Sequence, residues 1–510
     1  MKDICIVGAG PVGFLSAILL ARSGLKVSLY ERWSSVIDRP RACGLDHEAL
    51  RILQATGIME EISHIFDPVV GDRRYEFQNG SGEKLLEIQW NRAGLCGWPQ
   101  MNLFHQPDLE RALENLALTL PNLEIFRGCE LTSITQNSEF VTLKFSSSSG
   151  EFSVDTLYAI GADGANSTTR QSLGISQVDL GFKYDWLVID IISLQEHEWN
   201  PYLIQRCDPA RPATAVGSGP GRRRWEFMRL PNETKEELSS PEMAWKLLEP
   251  WGFTPSNSQL ERSVVYTFQG LWATEWSKGR VFLAGDAAHL MPPFLAQGLC
   301  SGFRDAIALS WRLIRAFKFG QTQLLKSYTS ERIGHCKVLI EQAVALGKII
   351  CILNTEDAAK RDEQMKASLL DPSKAITPPP QPRLGLSEHF QKENLYAGVL
   401  FPQGRVEFNS KTTLLEDIYP PDFQLVIGRR GDEEEALIAY AQHQGLRVIR
   451  LGKHGDFVET DSVYADWFEE RNIDVVIMRP DFYVFGTATL SDGIKLVDDY
   501  SFMMSSVKNF

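Results

Sequence analysis

Three turns in this chain set an acidic side chain beside glycine where a strand should end. They are Gly8–Gly13 with Glu31, Asp163–Gly164, and Gly285–Asp286. A glycine lets the backbone approach a ligand closely, and a carboxylate at a strand end can accept hydrogen bonds from sugar-like hydroxyls. After Asp286, Pro292, Pro293 and Phe294 form a stiff loop poor in backbone donors. Gly298, Leu299 and Cys300 then open a segment whose apolar residues recur at helical spacing up to Gly320. Free N–H groups in that first turn could hold an electron-rich ring oxygen. Strand, acidic turn, proline loop and helix start together suit a large cofactor, partly sugar-like and partly planar.

The elements that must position these groups are legible. Asp3–Val7 reads as a strand and Phe14–Ser23 as a helix stopped by Gly24. Lys26–Tyr30 reads as a second strand ending at Glu31 and Arg32. Between the first strand and the helix lies GAGPVG, with Gly8, Gly10 and Gly13 around Pro11 and Val12. This is a dinucleotide fingerprint in its required context, with an acidic residue about 20 positions on to meet ribose hydroxyls. The fingerprint does not choose between FAD and NAD; the Asp286 stretch tips the choice to FAD. Tyr158–Arg170 is a second acidic glycine turn after a strand, in which Asn166 or Ser167 could also cap a helix. From Asp185 to Phe268 the period becomes strand-like, with the helix Pro241–Trp251 between strands and no cofactor motif. A sheet inserted there is a natural substrate lid. Along Arg223–Leu230, Arg223, Trp225 and Phe227 point one way and Arg224, Glu226 and Met228 the other. The first face, two aromatics with an Arg at its end, is expected to hold an aromatic acid, unless a bulge shifts the register.

RVFLAGDAAHLMPPFLAQGL, YAIGADGANSTTR and RPRACGLDHEALRIL together resemble the FAD-dependent aromatic monooxygenases, the para-hydroxybenzoate hydroxylase-like flavoproteins. GWPQMNLFHQPDLE, CDPARP and RRRWEFMRLP resemble most the 3-(3-hydroxyphenyl)propanoate hydroxylase subfamily. The resemblance covers almost the whole chain. It implies that Asp286 holds the ribityl chain, that the prolines edge the flavin ring, and that the helix start holds its pyrimidine end. It further implies that Arg41 reaches the pyrophosphate, that Gln106 touches the cofactor sugar or phosphate, and that the Asp163 turn serves FAD and the nicotinamide donor. His47 stands where the closest subfamily usually has an acidic residue; it reads as a helix-start residue or, alternatively, a substrate neighbour. The implied activity is hydroxylation of a phenolic ring with NADH or NADPH and O2 through a flavin hydroperoxide, on a 3-(3-hydroxyphenyl)propanoate-like acid. Alternatives are a polycyclic or heteroaromatic substrate, or a non-catalytic FAD-binding protein. No classical acid–base residue stands out as catalytic.

The chain has 510 residues, which suggests about three or four domains. The expected fold class is α/β. It comprises a Rossmann-like FAD-binding domain (1–180 and 269–375), an inserted substrate-binding β-sheet (181–268, which strands within 76–90 could join), a linker (376–390) and a C-terminal thioredoxin-like domain (391–510). The formal net charge of −13, with no dense basic block beyond Arg222–Arg224, argues against nucleic acid or anionic membrane as partner. The eight cysteines are scattered without CxxC, which suits a reducing compartment and implies neither disulfide framework nor metal site. The last is Cys351, so the C-terminal domain is expected to be structural or a homodimer contact, without thiol chemistry. Ile4–Ala21, the one apolar run, is broken by Gly8, Gly10, Pro11 and Gly13 and reads as strand plus helix, giving a cytoplasmic expectation.

Overall fold

The computed structural model describes every residue except 1, 37–40, 68–73, 90–92, 198, 200, 371–381, 430, 432 and 506–510. Arg39, Trp90 and the first part of the expected 376–390 linker, including Pro378, lie outside the described residues.

The first sheet has eight strands. Lys2–Val7 is at its centre, and its Ile4–Val7 run is buried, as an interior parallel strand requires. Gly150–Gly161 and Val27–Glu31 flank it; Val281–Leu283 and Leu123–Arg127 lie beyond them, and all these pairings are parallel. Parallel pairing has one consequence for function: the carboxyl ends at Val7, Gly161 and Leu283 lie side by side, and each of the three turns leaves from one of them. Ligands of open α/β sheets bind outside those ends. The helices Pro11–Arg22 and Gln297–Phe319 pack together there. A Cβ on Gly302 would stand 2.6 Å from Val12 Cγ2, so glycine sets how closely they approach.

The second sheet also has eight strands, in the order His289–Leu290, Ser258–Ala273, Gln177–Ser193, Arg222–Met228, Ala213–Gly217, Leu203–Arg206, Arg74–Gln78, Lys84–Gln89. Its two long strands run for 17 and 16 residues, beyond the 186–192 and 263–268 expected, with a bulge between Asp179 and Lys183. One face is covered by Pro241–Leu248, which buries Ala244 and Leu248. The other faces the first sheet. His289–Leu290 belongs to the Asp286 stretch, so the two sheets are joined by backbone hydrogen bonds, with Leu271 opposite Leu290.

The C-terminal region runs strand Gln424–Ile427, helix Glu434–His443, strand Arg447–Arg450, helix Val463–Arg471, strands Val475–Met478 and Val484–Ala488, and helix Gly493–Ser505. Its four-stranded sheet places Arg447–Arg450 parallel to Gln424–Ile427, then Val475–Met478 and Val484–Ala488 antiparallel. It docks through buried polar groups. Tyr483 Oη donates to Glu48 Oε1 at 2.8 Å, Arg479 Nη2 to Glu331 Oε2 at 2.7 Å, and Trp311 Nε1 to Asp481 Oδ2 at 2.9 Å. Among the described residues no helix is long and apolar enough to cross a membrane, and no cluster of His, Cys, Asp or Glu could hold a metal.

Candidate active site

Gly8 has φ +101°, and a Cβ there would stand 2.3 Å from Ala162 O, so the first turn is packed against the Asp163 turn. Gly13 sits against the same turn; its Cβ would meet Gly8 O at 1.9 Å. Gly10 is the N-cap of Pro11–Arg22 and supplies no side-chain cap, leaving first-turn N–H groups available to an anion. Glu31 Oε2 accepts from Ala9 N at 2.8 Å and its Oε1 from Trp33 N at 2.9 Å, fixing the turn from the neighbouring strand.

Asp163 Oδ1 accepts from Ser167 Oγ at 2.5 Å and Oδ2 from Thr169 N at 2.9 Å, while Ser167 caps the short helix Thr168–Ser172. Arg170 joins the second turn to the third: Nη1 donates to Ala287 O at 2.9 Å and Nη2 to Ala165 O at 3.1 Å. In the third turn, Gly285 N donates to Asp305 Oδ2 at 2.9 Å. Asp305 also accepts from His289 Nε2 at 2.8 Å and Arg332 Nε at 2.8 Å. Burial alone would lower the His289 pKa, but the adjacent Cys336 and Asp305 outweigh it and push it up to about 10. Among the described residues no group hydrogen-bonds the Asp286 carboxylate, which opens on the cavity. Gln297–Phe319 begins after Ala296, held at φ 54° with no side-chain cap.

A fourth segment closes the site. Gln106 Oε1 accepts from Arg41 N at 3.0 Å and Ala42 N at 2.6 Å, and Gln106 Nε2 donates to Glu110 Oε1 at 2.6 Å. Arg41 thereby stands over the first turn, its Nη2 3.8 Å from where a Gly10 Cβ would be.

These segments enclose a cavity of about 480 Å³. Of the residues singled out in the sequence, Gly8, Gly10, Pro11, Val12, Glu31, Arg32, Arg41, Gln106, Asp163, Gly285, Asp286, Pro293, Phe294, Gly298 and Leu299 line it. The lining fits FAD. A glycine cradle with uncapped N–H groups and Arg41 suits a diphosphate, Glu31 a ribose, and the unpartnered Asp286 a polyol chain. The uncapped start of Gln297–Phe319 suits a ring oxygen.

The rest of the expected set is placed elsewhere. Gly13 packs helix on strand and does not line the cavity. Cys300 turns inward; its Sγ donates to Ala296 O at 3.3 Å and accepts from Asp46 N at 3.4 Å. Pro292 is buried and does not line the cavity. His47 is the first residue of the helix His47–Gln54, after the N-cap Asp46, and packs on Gly94 away from the cavity.

The substrate assignment of Arg223, Trp225 and Phe227 is corrected. Trp225, 1 % exposed, packs on Phe253 with centroids 4.9 Å apart, within a core that includes Phe227, Leu238 and Leu248. Arg223 stacks over Trp199 at 4.4 Å, and burial lowers its pKa to about 10. The aromatic face is occupied by the helix Pro241–Leu248; the cavity receives the opposite face. There the sheet register sets two rows. Tyr75, Leu203, Val216 and Arg224 form one, and Gln205, Thr214 and Glu226 the other. Arg224 continues into a cross-strand trio: its Nε donates to Asp190 Oδ1 at 2.7 Å, and Arg262 Nη2 lies 2.7 Å from Asp190 Oδ2. Arg224 Nη1 also donates to Arg41 O at 2.7 Å. Sequence reasoning missed Arg224, Glu226 and Tyr75. The helix within the same insert was the available signal, because its apolar side must bury against one sheet face.

Fold and site define a flavoprotein built on an FAD-binding domain, and residues 1–343 match the family described as FAD binding domain. Residues 398–501 match the HcaD C-terminal domain. A probable NADH-specific resorcinol 4-hydroxylase of Rhodococcus jostii (strain RHA1) is 35% identical over 497 residues, covering 95% of this chain and 92% of that protein. A 3-(3-hydroxy-phenyl)propionate/3-hydroxycinnamic acid hydroxylase of Escherichia coli is 30% identical over 519 residues, with the same coverage of 95% and 92%. Among solved structures, the flavin-dependent monooxygenase PieE in complex with FAD and substrate has the same fold, with a TM-score of 0.81 at 20% identity over 99% of both chains. The chain belongs to the family of FAD-dependent aromatic hydroxylases.

Proposed function

We propose that this enzyme hydroxylates a small neutral phenol of the resorcinol class, using NADH as electron donor. The observation that carries this reading is the charge at the substrate end of the cavity. Arg224 is the one cation that this sheet contributes to the cavity lining among the described residues, and it is bound to Asp190 and to Arg41 O. Glu226 stands beside it. On the same face Arg262 pairs with Asp190 and Arg222 with Glu261, so among the described residues that face of the sheet offers no unpaired cation to a carboxylate tail, and a buried carboxyl disfavours a second one. The Arg223 expected to receive such a tail is on the far face. The relative at 35% identity, named for resorcinol and NADH, points the same way.

Bound FAD supplies the redox chemistry: it accepts electrons from the nicotinamide and passes one oxygen atom of O2 to the ring. The chain holds the cofactor through the glycine turn, Glu31, Arg41, Asp163 and Asp286. Leu103, Leu203, Val216, Met291 and Phe294 supply apolar walls that orient a ring and exclude water, which limits wasteful loss of activated oxygen. The test is NADH oxidation and product formation by the holoenzyme with resorcinol and with 3-(3-hydroxyphenyl)propanoate. Resorcinol is expected to give stoichiometric hydroxylated product and the acid little. Preference for the acid would overturn the substrate class.

A further inference from the structure

The neutral-phenol reading leaves open which group takes the proton whose loss makes the ring electron-rich. Within the substrate end, the carboxyl of Glu226 stands apart. Its residue is 6 % exposed, yet among the described residues its oxygens make no hydrogen bond; the nearest cationic atom, Arg224 Nη1, is 4.0 Å away. By contrast, its neighbours on the same face are bonded to one another: Thr214 Oγ1 donates to Gln205 Oε1 at 3.0 Å, and Gln205 Nε2 to Ala213 O at 3.1 Å. A buried carboxyl that faces a cavity with only a distant ion pair and no hydrogen bond among the described residues is a costly arrangement unless a ligand hydroxyl completes it.

We propose that Glu226 is the catalytic base that accepts the phenolic proton of the bound substrate. This rests on the reading of the substrate as a phenol. The Glu226 carboxylate takes the proton from the phenolic oxygen and becomes the neutral acid. The oxygen keeps the bonding pair and shares the charge with the ring carbons ortho and para to it. After the ring has received its new oxygen, the hydroxylated carbon loses its hydrogen as a proton to solvent, the C–H bonding pair restores aromaticity and returns the charge to the phenolic oxygen, and the Glu226 acid gives its proton to that oxygen. The carboxylate is restored and no proton is consumed.

The surroundings suit that cycle. Burial raises the Glu226 pKa, with Asp190 adding to the rise, while Arg224 and Arg262 oppose it. Cys43 and Tyr75 are the other titratable groups interacting with it, and burial pushes both of them up. A carboxyl whose pKa lies above the ordinary range is a stronger base when ionised.

The experiment compares wild type, Glu226→Gln and Glu226→Asp as FAD-loaded full-length proteins with resorcinol and NADH across pH. Glu226→Gln should retain FAD and bind resorcinol, with turnover down roughly 10²–10⁴-fold. The acid limb of the wild-type kcat profile should vanish in Glu226→Gln and shift, with part of the rate restored, in Glu226→Asp. A purely structural role would lower the rate without removing that limb. Turnover within about threefold of wild type, with the limb unchanged, would overturn the assignment. Should Glu226→Gln fail to take up FAD, Glu226→Asp decides: an unmoved limb and rate overturn it equally. If wild type forms no product from resorcinol, the substrate reading fails separately. The same comparison, made on whichever neutral phenol the wild type does hydroxylate, then judges Glu226.

Discussion

At the scale of single residues, the cofactor end and the substrate end respond to different substitutions. Among the described residues the Asp286 carboxylate has no hydrogen-bond partner, and its proposed role is to hold a ribityl hydroxyl. A charge-assisted bond of that kind is worth about 1.5–3 kcal/mol. Asp286→Ala is therefore expected to weaken FAD by roughly 10- to 150-fold, read by titrating apoenzyme with FAD. Undiminished affinity would remove Asp286 from the site. Trp225 is the converse case. It is core, so Trp225→Ala should cost about 3–5 kcal/mol of stability. Product formed per NADH should stay unchanged in whatever fraction remains folded, and selective uncoupling at unchanged stability would return that face to the substrate. The residue types in the glycine turn, the two acidic turns and the Arg41 loop marked them openly as candidates, since few other functions need glycine and carboxylate so placed, and all of these segments line the cavity. Arg224 and Glu226 were equally visible as a pair on one side of a strand. Alternation fixes which residues share a face but not which face meets the cofactor. Aromatic content favoured the wrong one, because Trp and Phe suit a helix-covered core as well as a pocket.

At the scale of elements, the helix Gln297–Phe319 does more than line the cavity with its first turn. Through Asp305 it grips Gly285 N, and Asp305 is itself held by His289 and Arg332. The folded-state pKa of His289 is about 10, above its ordinary 6.5. Its protonated form therefore contributes stability that is fully present below about pH 6.5 and is lost as pH rises through about 10. The Tm of wild type should fall between pH 8 and 10.5, with FAD released more readily, and His289→Gln should flatten that fall. An equal alkaline slope in the variant would show that other groups cause it. The strand and helix identities along the first sheet were legible from apolar runs bounded by glycine. The hairpin of Arg405–Phe408 with Lys411–Leu414 was not, because its strands are short and largely exposed. The helix Gly493–Ser505 has a readable apolar side in Leu496, Val497, Tyr500 and Met503 that the reading passed over.

At the scale of the whole molecule, the cysteine-free C-terminal region is joined to the cofactor end by a buried chain of charges. Tyr483 binds Glu48, whose Oε2 accepts from Arg304 Nε at 2.6 Å; Arg304 Nη1 in turn donates to Gln297 Oε1 at 2.9 Å, at the start of the cofactor helix. Breaking such a chain strands a buried carboxylate oxygen, at about 1–3 kcal/mol. Tyr483→Phe should lower the Tm. Calorimetry of wild type should show one transition spanning both regions, which FAD raises as a whole. Two transitions, only the earlier moving with FAD, would mean that the regions fold independently. No single segment of sequence could disclose this chain, because its members come from residues 48, 297, 304 and 483 and meet only in three dimensions. The bond from Arg224 to Arg41 O has a comparable reach at the other end of the site. One guanidinium braces the Arg41 loop, proposed to cover the diphosphate, while flanking Glu226, proposed to meet the phenol. Occupancy at the two ends is then thermodynamically linked: any factor by which a bound phenol tightens FAD at equilibrium must equal the factor by which FAD tightens the phenol. Arg224→Lys, which cannot span Asp190 and the Arg41 carbonyl as a fork, should shrink both factors together.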